Sequence, residues 1–304
     1  MSTSTPSYAP SRSLARQRAA DYLALAKPKI MLMELVTVGV AAIVASSELP
    51  GLWLLAHTLF GTFLVAAGAS VWNQWLESHT DALMERTAER PLPSARLPSR
   101  EVILSGTAAA LTGIAYLGLL VNLPTAALGG LTWLVYVGIY TPLKSRSPAN
   151  TAVGAVSGAL PILMGWSAVG ARPNLVAATL FSIVFLWQFP HVMAIAWLYR
   201  RQYAAAGLKM LPVVDPTGLR AGVQAVVAAL ALLPLSLLPA MTGLAGPLYF
   251  LWATALTLGQ LFCAAAFLLR RNDQTARALF RASLIYLPAL LLGLAAGPLW
   301  YWSD

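Results

Sequence analysis

From about residue 30 onward, apolar runs of roughly twenty residues alternate with short polar or Pro/Gly-rich breaks. Runs of that length match the hydrocarbon thickness of a bilayer. They predict helices over about 30–49, 52–76, 101–120, 122–141, 151–170, 175–199, 218–240, 245–269 and 278–301. The pattern is that of an all-α polytopic membrane protein with nine transmembrane helices.

Composition agrees. The 304 residues are 58% hydrophobic and 10% charged, with a mean hydropathy of +0.69, whereas a soluble domain carries about 25% charged residues. The net charge of +9 does not point to nucleic acid, because the basic residues stand singly between apolar spans without interleaved aromatics. A single cysteine, Cys263, excludes an intramolecular disulfide framework and a Cys-based zinc cluster, and reads as a small buried hydrophobe. Residues 1–29 have no apolar core of a signal peptide, and the Ser/Pro-rich first ten or so residues read as disordered. The expected organisation is a flexible basic segment over 1–25 followed by one intramembrane domain over 26–304.

Charge orients the spans. With each Lys or Arg at a helix end assigned to its nearest connection, nineteen of the twenty fall on one side, with the N-terminus and the connections at 77–100, 142–150, 200–217 and 270–277, and only Arg172 lies opposite. The positive-inside rule then places the N-terminus in the cytoplasm. The two longest connections, 77–100 and 200–217, are on that side, so function is expected to face the cytoplasm of a bacterial inner membrane.

The densest polar stretch is "WNQWLESHTDALMERTAERPLP", residues 72–93. Asn73, Glu77 and Asp81 recur at one-turn spacing, which puts three oxygen donors on one helical face. Carboxylates at a membrane boundary need water, cations or a metal. Mg2+ commonly takes one or two carboxylates and completes its shell with substrate phosphate. Arg86 and Arg90 follow, again one turn apart, and guanidinium suits phosphate oxygens. A metal-bridged diphosphate fits this order, but so does a solvated helix end in which Glu85 pairs with Arg86 and His79 faces water.

Three stretches resemble the UbiA superfamily of intramembrane prenyltransferases, in the form carried by its heme-modifying branch. They are the run from Asn73 to Leu92, "YTPLKSRSPANTAVGAVSGALPILMGW" from Tyr140, and "WQFPHVMAIAWLYRRQYAAAGLKMLPVV" from Trp187; "AKPKIMLMELVTVGVAA" fits the entry to the first helix. Two positions depart from the family pattern. Glu77 stands where Asp is usual, and Gln202 also replaces an Asp, which removes a charge from the second acidic site.

The resemblance implies a nine-helix bundle around a central cavity open to lipid, capped by the two long loops. It implies transfer of the farnesyl group of farnesyl diphosphate to the C2 vinyl of heme b, with water added, to give heme O. Candidate partners downstream are heme A synthase or a terminal oxidase. Asn73, Glu77 and Asp81 would hold Mg2+, while Arg86, Arg90, Lys144 and Arg146 would take up charge on the leaving diphosphate. On the sixth helix Trp187, His191, Tyr199 and Tyr203 share one face, and the resemblance makes them heme contacts. From its residues alone His191 is equally a ligand or a group bonded to a carbonyl freed by Pro190. Gln188 is expected to line the same cavity. Arg200 and Arg201 either bind anionic substrate groups or only follow the charge rule. Glu34, inside the first span, is expected to face the cavity within reach of Lys27 or Lys29, or to be neutral at the interface. Helices two and six each end in a polar cluster before a long loop, an internal echo, and helices seven to nine read as scaffold.

A related enzyme acting on a quinone precursor or another aromatic acceptor would share the metal site. A secondary transporter would show broken midplane helices, and a heme-binding paralogue would bind heme without prenyl transfer.

Overall fold

The computed structural model describes residues 11–46 and 49–300; the disorder expected over the first ten residues lies outside this range. Helix α1 (Ser11–Leu25) precedes the bundle. The spans are α2 (Pro28–Ser46), α3 (Leu52–Leu76), α5 (Ser99–Leu120), a composite helix over 123–143, α8 (Asn150–Ala168), α9 (Leu175–Leu198), α12 (Leu219–Met241), α13 (Pro247–Arg270) and α14 (Asp273–Trp300). Short helices α4 (Ser78–Ala82), α10 (Arg200–Ala205) and α11 (Leu211–Val214) lie in the two long connections. Among the described residues, nine helices are long and apolar enough to cross a membrane, as the hydrophobic pattern predicts. Most expected boundaries lie within a few residues; α14 begins at Asp273, earlier than expected, because Asn272 caps it by accepting the Thr275 backbone N–H.

The spans are apolar on nearly every face. Leu119, Phe262 and Leu269 are 84%, 76% and 78% exposed, which is costly in water and expected against lipid. Small residues bring helices together at the core. At Gly68 on α3 a Cβ would come 2.6 Å from the carbonyl oxygen of Gly106 and 2.7 Å from the backbone nitrogen of Ala110 on α5, so only glycine permits this crossing. Gly165 on α8 likewise presses against the Val38 carbonyl of α2. At the end opposite the long connections the turns are tight. Asn122 caps α6 (Leu123–Trp133) by accepting the Thr125 N–H at 2.9 Å and donates to the Ser167 carbonyl at 2.8 Å, which ties that turn to α8.

Helix α6 continues as a π-helical stretch, Leu134–Tyr140, and ends in α7 (Thr141–Leu143). Pro142 has no N–H to offer, and the Thr141 N–H bonds back to Tyr136 O, the five-residue spacing of a π turn. Such turns gather at functional sites, and this one faces the cavity described below.

Two expectations change. Residues 11–25 are helical and held, not a loose tail: Arg96 pairs with Asp21 at 2.9 Å, Tyr22 donates to Glu101 at 2.6 Å, and Leu25 is fully buried. Partners on α5 and on the connection before it, invisible to local patterning, hold this helix. Cys263 is half-buried beside the core of α9, α12 and α13 instead of enclosed.

Candidate active site

Asn73 lies on the last turn of α3, Glu77 is the single residue between α3 and α4, and Asp81 sits on α4. The helix breaks at Glu77, yet Glu77 N donates to Asn73 O at 3.0 Å and Asp81 N to Glu77 O at 2.7 Å. One-turn hydrogen bonding therefore runs through the break and keeps the three side chains on one side, as their spacing predicts. The same device recurs at Tyr199, the single residue between α9 and α10, which gives the echo between helices two and six a structural form.

Each of the three oxygen donors meets a cation. Lys27 Nζ donates to Asn73 Oδ1 at 2.5 Å, Lys144 Nζ lies 2.6 Å from Glu77 Oε1, and Arg90 donates to Asp81 Oδ2 at 2.6 Å. Asn73 is fully buried, and its amide also donates to Thr141 Oγ1 at 3.1 Å. Lys144 Nζ sits on the buried Glu77 Oε1 at ion-pair distance. Three cations around two carboxylates leave an excess of positive charge, which favours an anion.

Burial sets the ionisation. Part of Lys27 stays accessible, but its surroundings are protein, and that burial pushes its amine down to about 7 against the attraction of Glu77. Burial works to raise Glu77, but Lys144 and Lys27 override it and hold the carboxyl below its ordinary value. At Asp81 burial outweighs Arg90 and the carboxyl stands above its ordinary value. Burial opposes the charge on Lys144 as well, and Glu77 overrides it, so this amine is held well above the usual lysine range.

Mg2+ fits this donor set. Two carboxylates and an amide oxygen at one-turn spacing are a donor set of the kind Mg2+ takes when phosphate completes its shell. Among the described residues no group of three or more His, Cys, Asp or Glu could hold a metal ion.

Below this cluster lies a cavity of about 430 Å3. Tyr136 and Tyr140 of the π turn line it and join it to the cluster: Tyr136 OH approaches Asn73 Oδ1 at 3.5 Å, and Lys144 Nζ stands 4.5 Å over the Tyr140 ring. On the α9 wall, His191 and Trp187 stack with ring centres 4.8 Å apart. Ser283 of α14 holds both. Its Oγ pairs with His191 Nδ1 at 2.8 Å, and its carbonyl accepts from Trp187 Nε1 at 2.8 Å. His191 is thus bonded to a hydroxyl of another helix and not to a carbonyl freed by Pro190. Gln188 lines the cavity as expected and donates to the Ala155 carbonyl at 3.0 Å.

Several expected contacts form elsewhere. Tyr199 and Tyr203 do not line the cavity with His191; they sit in the cap, where the Arg86 guanidinium lies 4.7 Å and 5.8 Å from their ring centres and donates to Tyr203 OH at 3.3 Å. Tyr199 lies one residue past the end of α9 and Tyr203 on α10, beyond the span that carries His191. Gln202 Oε1 accepts from the Arg86 backbone N–H at 3.4 Å, which joins the two long connections. Lys209 N donates to Lys144 O at 2.7 Å, so the second connection also closes over the Lys144 turn. Arg200 turns to Asp273 of α14 at 2.9 Å and lies over the Trp197 ring at 4.3 Å. Arg146 is exposed on the turn after α7. Lys27 goes to Asn73 and not to Glu34, which lines the cavity together with Lys29. Helices α12 to α14 are not scaffold alone, since α14 supplies Ser283, Leu284 and Leu287 to the site. Thr141, Tyr136 and Ser283 join the site with no local sequence pattern to mark them, and Lys27 meets Asn73 instead of the Glu34 that its position suggested.

The UbiA prenyltransferase family matches residues 35–302. A protoheme IX farnesyltransferase of Solibacter usitatus is 40% identical over 284 residues, covering 90% of this chain and 97% of the relative. One from Myxococcus xanthus is 39% identical over 278 residues, covering 91% and 94%. Among solved structures, a digeranylgeranylglyceryl phosphate synthase superposes with a TM-score of 0.75 at 18% identity, over 93% of this chain and 99% of that one. A UbiA homologue from Archaeoglobus fulgidus, bound to DMAPP and Mg2+, superposes at 0.66 with 16% identity, over 90% and 99%.

Proposed function

The chain belongs to the UbiA prenyltransferase family, and on that premise we propose that this integral membrane enzyme transfers the farnesyl group of farnesyl diphosphate to the C2 vinyl of heme b, with addition of water, to give heme O and diphosphate. The observation that carries the acceptor is the likeness to protoheme IX farnesyltransferases over nine-tenths of the chain. The donor reading is supported by a cation-rich, partly acidic cluster seated over a largely apolar cavity. A quinone precursor as acceptor has no comparable support.

Asn73, Glu77 and Asp81 would hold Mg2+, which when bound neutralises and orients the diphosphate as a leaving group. Lys27, Lys144 and Arg90 stand where they hold the diphosphate oxygens and stabilise the charge that grows on them as the bond to the allylic carbon breaks. Arg86, held over Tyr199 and Tyr203, adds a cation from the cap, and the two tyrosines position it. Trp187 and His191 offer a flat aromatic wall for the porphyrin, with His191 fixed in orientation by Ser283. Vinyl π electrons then form the carbon–carbon bond to the farnesyl group, and water takes up the resulting positive charge. Arg146 and Arg200 carry no role here, the first being exposed and the second braced on Asp273.

The one-sided distribution of Lys and Arg supports a bacterial inner membrane orientation with the cluster facing the cytoplasm. The membrane lipid gives both amphipathic substrates access, and heme A synthase or a terminal oxidase would take the product.

The test is expression in membranes of a host lacking its own heme O synthase. Heme O detected by mass spectrometry with the native chain, and reduced at least about 100-fold by Asp81→Ala, supports the reading. A folded, inserted native chain that makes none rules it out.

A further inference from the structure

Glu34 lies on α2 in the cavity wall and makes no hydrogen bond or ion pair among the described residues. It is the one carboxylate among the described residues that line the cavity. An ionisable group at membrane depth is costly without a partner, and such a group that faces a cavity marks function. The diphosphate chemistry does not use it. Glu34 stands six residues beyond Pro28, the start of α2, which is about 9 Å along the helix axis. Side chains on a helix lean toward its N-terminus, so the carboxyl points back from this depth toward the end where Lys27 meets Asn73. That is the level just beneath the diphosphate, where the reacting carbons must sit.

Resting on the proposed function, we infer that Glu34 is the general base of the hydration step. After the vinyl group forms its bond to the farnesyl carbon, the positive charge is on the carbon joined to the porphyrin ring. A water oxygen donates its lone pair to that carbon and forms the C–O bond. One of its protons passes to the Glu34 carboxylate, the alcohol is left neutral, and the carboxyl later returns the proton to water. His191, whose ring is held by Ser283 and stacked on Trp187, is the other base-capable group of the cavity wall. The carboxylate also opposes the cation electrostatically, a second reason for an acid and not an amide at this position.

The experiment compares native protein, Glu34→Gln and Glu34→Asp in membranes supplied with heme b and farnesyl diphosphate. Heme products are read by mass spectrometry and heme b binding by absorbance titration. Glu34→Gln removes a buried charge and keeps the shape, so folding is retained. The expected result is heme O lowered about 100-fold, heme b binding within about twofold of native, and a farnesylated heme lighter than heme O by one water, formed when the cation loses a proton instead. Glu34→Asp is expected to restore part of the hydroxylated product. Heme O at the native rate without the lighter product overturns the inference. So does loss of heme O with binding retained and no lighter product, or loss of binding in parallel with heme O. A native chain that makes no heme O overturns the functional reading and this inference together, which separates the two failures.

Discussion

At the scale of single residues, the site holds two ion pairs, Lys144–Glu77 and Arg90–Asp81, whose members cannot leave singly without cost. Glu77 and Lys144 are both mostly buried, with side-chain exposures of 12% and 16%, so each would be an uncompensated charge alone. Lys144→Met is therefore expected to lower stability by about 3 kcal/mol, read as a lower melting temperature in detergent, and to abolish transfer. Adding Glu77→Gln removes the stranded charge, so the double variant is expected to regain most of the melting temperature and none of the activity. Equal melting of Lys144→Met and native protein would show that the pair does not hold the site together. Trp187 and His191 illustrate the same dependence in another form, since both are oriented by one residue, Ser283.

At the scale of elements, two features position these residues. Each of the two long spans α3 and α9 is followed by a one-residue break and a short helix, at Glu77 and at Tyr199, and these short helices carry the cap. The spans themselves are set by close backbone approach. Gly68→Ala would drive a Cβ into Gly106 O and Ala110 N of α5, atoms of a helix backbone that cannot rotate away. It is expected to destabilise the protein by about 2 kcal/mol and to lower the melting temperature. Gly259→Ala on α13 has nothing within 4 Å of the added carbon and is the control. Loss of stability in both would mean that helix flexibility and not crossing distance matters at Gly68.

At the scale of the whole molecule, the spans put the polar chemistry at one end of the bundle and tight capped turns at the other. The cluster, the cap and the long connections share the end where nearly all Lys and Arg reside. With an N-terminus in the cytoplasm, alkaline phosphatase fused after the ninth span is expected to be active, and the same enzyme inserted between α3 and α5 inactive. The reverse pattern would turn the site to the other face. An apolar cavity beneath a cation-rich polar end is a layout that suits amphipathic molecules.

The sequence by itself determined what depends on local period and length. The nine spans follow from apolar runs matched to bilayer thickness, and the row Asn73, Glu77, Asp81 from one-turn spacing that persists through the helix break. Only the tertiary structure decided which partner each polar group meets. Lys27 reaches Asn73 across 46 positions, Asn73 reaches Thr141 across 68, and Ser283 reaches His191 across 92. For the same reason Arg200 is drawn to Asp273, Tyr199 and Tyr203 stand under Arg86 outside the cavity lining, and Glu34 lines the cavity without an ion-pair partner among the described residues. Such pairings arise where helices distant in sequence cross, and the crossings are set by small residues and side-chain packing that no local pattern encodes.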